Sequence, residues 1–244
     1  MKNKTFFALL TALAVSLITL PAIAQPITVT PAKTVYRRSK PIDRYKRSFT
    51  VIRPKIKGTT PTLAKKIETA FSYEKNFDFS IKEEQTEIQW LSEASYEVDY
   101  NKKGILGISL TIEGSGAYPD SSSKSIVVNI KTGNRIVPAD VFTNMTGLVS
   151  QISNLQKAEV KQAIVDIKKE NPEEEDLANL FESADFTAEN LKEFDINDRG
   201  IRFWYDYGFP HAIQAWQPEG RYFMTWSQMK PYIKQGGLFG QFVR

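Results

Sequence analysis

The stretch "NKKGILGISLTIEGSGAYPDSSSKSIVVNIKTGNRIVPADVF", residues 101–142, decides the fold. Leu106, Ile108, Leu110 and Ile112 alternate with Gly107, Ser109, Thr111 and Glu113, the period of two that marks a half-buried β-strand. The turn "NKKG" precedes this strand. Residues 113–123, "EGSGAYPDSSS", read as a loop, because glycine, proline and serine extend a strand poorly. Beyond it Ile126, Val128 and Ile130 share one face of a second strand. "KTGN", with Gly133 as a structural residue, then closes a hairpin toward Arg135-Ile136-Val137.

Upstream, residues 45–56 predict a strand ending near Pro54, and Lys57-Gly58 turn the chain. Residues 59–73 place Leu63, Ile67, Ala70 and Phe71 on one helical face, and residues 88–100 are β-rich. Downstream, Leu148, Ile152, Leu155, Val160, Ile164 and Ile167 recur at near-helical spacing until Asn171-Pro172 ends the helix. An acidic segment with Leu177, Leu180 and Phe181 predicts another helix. Residues 187–207 then pass from a helical piece through a turn into a strand, and Ser227 is expected to cap a short final helix. Strands in runs, interrupted by helices, predict an α+β domain over residues 45–244: a mainly antiparallel β-sheet packed against a few α-helices. A division into two subdomains near residue 145 is one arrangement of it.

The ends suggest a compartment. Residues 1–24, "MKNKTFFALLTALAVSLITLPAIA", have a basic start, an apolar run from Phe6 to Leu20 and an Ala-x-Ala ending. They read as a signal peptide cleaved between Ala24 and Gln25, which places the mature chain in the periplasm or outside the cell. The apolar run is shorter than the roughly 20 residues a membrane span needs. Residues 25–44 hold three prolines and little periodicity and read as a disordered basic linker. Residues 25–70 carry twelve Lys or Arg against two Asp or Glu, and residues 166–198 reverse the balance with three against twelve. The basic segment attracts anionic envelope polymers or membrane faces, or solvates an exposed edge strand, or faces the acidic segment of the same molecule. Nucleic acid is not an expected partner of an exported chain, and no later stretch predicts a transmembrane segment.

The absence of cysteine rules out a disulfide scaffold and a lipid-anchored lipobox, and with a single histidine it leaves no zinc site of the usual kind. No cofactor and no metal site is expected. In "DINDRG", residues 195–200, Arg199 stands where a calcium ligand would be needed, so this segment reads as a turn.

The pieces "VIRPKIKG", "NKKGILGISLTIEGSGAYPD", "NIKTGNRIVPADVF" and "GIRFWYDYGFPHAIQAWQPEG" occur in an order that resembles the RsiV-like extracytoplasmic domain family. This domain of uncharacterised function forms the outer part of an anti-sigma factor that recognises lysozyme, and is also found beside peptidoglycan deacetylase domains. The resemblance runs from about residue 45 to the C-terminus and implies a binding domain of the cell envelope. Tyr118 stands where the family often has histidine.

Candidate site residues come from two places. His211, the only histidine, sits in "FPHAIQAW" without a serine nucleophile motif, and a Pro-His-Ala bend reads as structural rather than catalytic. Around it, ten aromatic residues fall between positions 201 and 232, with Phe203, Tyr205 and Tyr207 on one strand face and Trp204 on the other. The run is either a two-sided core strand or a partner platform, and Trp216 is the ring expected to be exposed. The loop at 113–123 supplies the other candidates, Tyr118, Pro119 and Asp120, an amphipathic ring beside a carboxylate. No catalytic residue is assigned. The expected function is a non-catalytic secreted or periplasmic domain that binds an envelope protein or a peptidoglycan-type glycan. An envelope carbohydrate-active hydrolase or deacetylase-associated enzyme, and a purely structural envelope module, are the alternatives.

Overall fold

The computed structural model describes residues 27–244, so the predicted signal peptide and its expected cleavage after Ala24 lie outside the described residues. The first strand arrives where the sequence predicts a disordered linker. Residues Thr28–Arg37 form β1, which pairs antiparallel with β2 (Ser48–Lys57) over its whole length. That expectation is corrected, and the cause is local. Thr28, Val29, Thr30, Thr34 and Val35 favour extended backbone, and Pro31, set opposite Pro54, is tolerated because β1 is a sheet edge. The basic residues of the segment, Lys33 and Arg37 among them, decorate this edge, a common guard against edge-to-edge pairing.

Arg38 follows β1 and turns inward. It is 6 % exposed and pairs with Glu84, itself 3 % exposed. Its guanidinium also donates to the carbonyls of Glu84 (2.9 Å), Lys46 (2.9 Å) and Leu91 (2.6 Å). Burial lowers its pKa, and the Glu84 carboxylate opposes that shift. A buried charge needs this degree of bonding to be tolerated.

Three short helices, α1 (Pro61–Ala70), α2 (Tyr73–Phe77) and α3 (Ile81–Thr86), connect β2 to β3 (Leu91–Lys102). Thr60, Ser72 and Ser80 cap them by accepting bonds from backbone N–H groups of the first turn. β4 (Ile105–Ser115) and β5 (Pro119–Asn129) complete a five-stranded sheet in sequence order. Every pairing is antiparallel except β2 with β3, which run parallel at Thr50–Val51 beside Glu93–Ala94. Leu106, Ile108, Leu110 and Ile112 point with Ile126 and Val128 into a core that Ile67 of α1 and Phe71 close. Ile105 and Val127, on the opposite face, join a second core.

The predicted loop at 113–123 is largely strand. β4 and β5 pair as far as Ser115 opposite Pro119, which leaves residues 116–118 as the turn. Serine extends this ladder because its hydroxyls find partners: Thr111 Oγ1 lies 2.9 Å from Ser123 Oγ, and Ser109 Oγ 3.1 Å from Ser125 Oγ. Gly114 is required by contact, since a Cβ there would lie 2.4 Å from the Trp90 ring.

The second core lies between the large sheet and a three-stranded antiparallel sheet of β6 (Phe194–Ile196), β7 (Gly200–Trp204) and β8 (Arg221–Thr225). The short helix α4 (Pro138–Val141) leads to α5 (Met145–Glu170), which gives Leu148 and Ile152 to this core and Ile167 to a smaller cluster with Leu177 and Phe181. Residues Leu177–Phe181 form a 3-10 turn rather than an α-helix. The last α-helix, α6 (Trp226–Met229), is capped by Thr225 in a capping box with Gln228, two residues before the predicted Ser227. The fold is α+β, with one five-stranded mixed sheet that is mainly antiparallel.

Candidate functional site

The turn at 116–118 carries Tyr118 to the tip of the β4–β5 hairpin, where 62 % of the residue is exposed. His211 starts a 3-10 segment, His211–Trp216, in the long connection between β7 and β8. The two rings stack with centroids 4.6 Å apart and planes 17° from parallel. Two sequence candidates 93 positions apart therefore meet. Pro119 and Asp120 line a cleft of about 490 Å³ beside the stack, together with Glu113, Ser115, Ser121 and Gln214. The wall is polar, and among the described residues the His211 side chain makes ring contact rather than a hydrogen bond to a core group.

Trp216 does not join them. It is half-buried and packs with Phe181, Tyr207 and Phe209 against the cluster around Ile167, so the expectation of an exposed ring there is corrected. Gln217 Oε1 accepts from Phe209 N at 2.9 Å and ties together the two ends of the segment that carries His211 and Trp216. Gly133 lies beyond the other end of β5 with φ of 69°, and a Cβ there would come within 2.9 Å of Leu63.

A clamp holds the connection in place. Glu159 of α5 accepts from Tyr207 Oη at 3.0 Å, Tyr222 Oη at 2.7 Å and Gly220 N at 3.1 Å. Burial raises the pKa of both phenols, so each remains a neutral donor.

Behind the tip, β3–β5 present a polar face that single-strand periodicity marked only as the wet side. Ser109 donates to Asp99 Oδ2 at 2.8 Å. Burial pushes the Asp99 carboxyl up to about 6, the Ser109 bond opposes it, Asp195 and Glu97 raise it further, and Arg202 pulls it down. Asp195, on β6, is also raised by burial, against Arg202, the Trp204 bond and Arg221. Trp204 Nε1 donates to Asp195 Oδ2 at 2.8 Å, and the Arg202 guanidinium stands 3.7 Å from the same oxygen. The polar face of the large sheet and the outer face of the small one thus meet around Asp99, Asp195 and Arg202. Sequence reasoning missed this meeting. Its one visible signal was the alternation that sets Trp204 opposite in facing to Phe203.

Among the described residues no group of three or more His, Asp or Glu is placed to hold a metal ion, and no helix is long and apolar enough to cross a membrane. No protein-family model matches the chain, and no curated protein matches it in sequence. Solved structures match it in fold. A DUF3298 family member from Bacteroides fragilis superimposes with a TM-score of 0.55, covering 90% of this chain and 98% of its own at 13% identity. The fold resembles that of DUF3298 proteins. A second such protein, from Pseudomonas aeruginosa, covers 86% of this chain and 95% of its own with a TM-score of 0.49 and 11% identity. At these identities the likeness to DUF3298 is one of fold.

Proposed function

We propose that the chain is a non-catalytic binding domain, RsiV-like in kind, that is exported by its N-terminal segment and works in the periplasm or outside the cell. Its partner is an envelope protein or a peptidoglycan-type glycan. The observation that carries this reading is the exposed Tyr118 ring, stacked on His211 above a polar cleft. A flat amphipathic ring held by a second ring is pre-organised to meet a partner at little entropic cost. The Glu159 clamp supports the reading, since it fixes the segment that supplies His211.

The test begins with a pull-down from envelope extract using the purified chain. Against the captured partner, Tyr118→Ala is expected to lose about 1–2 kcal/mol of binding free energy, as truncating an interface aromatic does. Its thermal midpoint stays that of the wild type. A lower midpoint with unchanged affinity in calorimetry would make Tyr118 a packing residue and end this reading.

A second reading, an envelope hydrolase or deacetylase-associated enzyme, draws on one observation: Asp99, a carboxyl with a pKa raised by burial, feels the charge of a second carboxylate, Asp195. Release of sugar or acetate from cell-wall material, abolished by Asp99→Asn, would put an enzyme in place of the binding domain.

A further inference from the structure

The inner face of the three-stranded sheet, Ile201, Phe203, Tyr222 and Met224, is core. The outer face is a row in which arginine and aromatic side chains alternate. The register sets Arg202 opposite Phe223 and Trp204 opposite Arg221. The Arg199 guanidinium lies 5.6 Å from the Phe223 ring centre, and those of Arg202 and Arg221 lie 5.7 and 4.9 Å from the centre of Trp204. Order along the row is Arg199, Phe223, Arg202, Trp204, Arg221.

Three cations share this face with Asp195, which is 6 % exposed and already bonded to Trp204, and Asp99 lies at its border. Arg202 stands 3.7 Å from Asp195, and among the described residues neither Arg199 nor Arg221 makes an ion pair. Both of these are exposed. A guanidinium resting on a ring keeps its in-plane N–H donors free, and the ring fixes its plane, which favours two-point bonding to a carboxylate.

We infer that this row is a docking site for a glycan chain whose sugars carry carboxylate groups. The inference rests on the binding-domain reading and names the chemistry of its partner. Charge complementarity fixes the sign of the ligand. The neighbouring wall bears on its kind: beyond Asp99, which bonds Ser109 and feels the charge of Arg202, the polar face of the large sheet carries the Thr111 and Ser123 hydroxyls, and accessible hydroxyls match sugar hydroxyls rather than the apolar anchors of a protein. Arginines spaced by rings suit an acid group that recurs along a polymer.

The experiment uses the purified chain and three probes in titration calorimetry: polygalacturonate oligosaccharides, the same oligosaccharides fully methyl-esterified, and poly-glutamate of equal charge. The acidic oligosaccharide binds, its ester binds at least tenfold more weakly, and added salt weakens the acid form alone. Arg199→Ala with Arg221→Ala lowers affinity tenfold or more with the melting midpoint unchanged, and Arg221→Lys recovers only part of the loss of Arg221→Ala. Equal binding of acid and ester, no binding of the acid, or an unaffected double variant overturns the inference. Tighter binding of poly-glutamate assigns the face to an acidic protein instead. A double variant that melts early and binds normally makes the row an internal brace. The parent reading fails separately, through the Tyr118 experiment on the captured partner.

Discussion

The two sheets build their cores by different means. Beneath the five-stranded sheet the filling is mostly aliphatic: Val51, Ile67, Leu106, Ile108, Leu110 and Val128 form layers set by strand alternation, with Phe49, Phe71 and Tyr73 as the buried rings. Beneath the three-stranded sheet rings are more numerous and touch one another. Phe142 meets Phe194, Phe203 and Phe239 with centroids 5.8–6.4 Å apart, and Phe186 reaches both Phe203 and Tyr222. Aliphatic layers on a pleated sheet substitute for one another at modest cost. A ring cluster is keyed, each edge meeting a particular face, so a missing ring leaves a hole its neighbours cannot fill.

Loss of a core ring and a swap of one aliphatic for another test this contrast. Phe203→Ala is expected to cost about 3–5 kcal/mol, near the ceiling for a core ring, while Ile108→Leu in the other core costs less than about 1.5 kcal/mol. Urea melts monitored by tryptophan fluorescence measure both, and comparable losses would erase the distinction. Next in size, Arg38→Ala strands Glu84 in the aliphatic half and is expected to cost about 3 kcal/mol. Should it melt like the wild type, the buried pair is not what pins β1 to α3.

A pH-dependent effect concerns the boundary between the halves. Asp99 has a folded pKa of about 6, above its ordinary value, so its protonated form favours the fold. Its contribution is fully present below the unfolded pKa near 4 and is lost as pH rises through about 6. Asp99→Asn should therefore match wild type near pH 4 and gain relative stability toward pH 7. Denaturant midpoints across that range decide it, and a constant offset would mean that the carboxylate does not feel the meeting of the two sheets.

The same contrast governs what could be read from sequence. β4 was legible because Leu106 to Ile112 alternate without interruption, and α5 because its apolar residues keep helical spacing. β1 was not, since the three prolines of residues 25–44 and scattered basic residues hid an edge strand whose pairing with β2 is a tertiary matter. At the site, Tyr118 and His211 were each visible as candidates, but their stacking depends on how the 205–220 connection folds back, which Glu159 decides from a distant helix. Trp216 misled for the same reason: position near a bend says nothing about which way the bend faces. Arg202 and Arg221 lay in plain view in "GIRFWYDY" and "GRYFMTW", and only the register placed them on either side of one indole.

The parallel seam between β2 and β3 has a consequence for how the chain is made. β3, β4 and β5 are linked by tight turns and can zip together on the order of microseconds. The β1–β2 hairpin forms as readily, but it joins them only after the whole of residues 58–90 has closed a loop around the two residue pairs of the seam. On a chain delivered from its N-terminus, the hairpin emerges first and waits longest, with one flank unpaired until β3 follows. That interval is when the nascent protein is most open to pairing with a stranger, and Arg53, Lys55 and Lys57, placed along the waiting strand, make such a stranger's approach electrostatically unfavourable if it is another copy of the same chain.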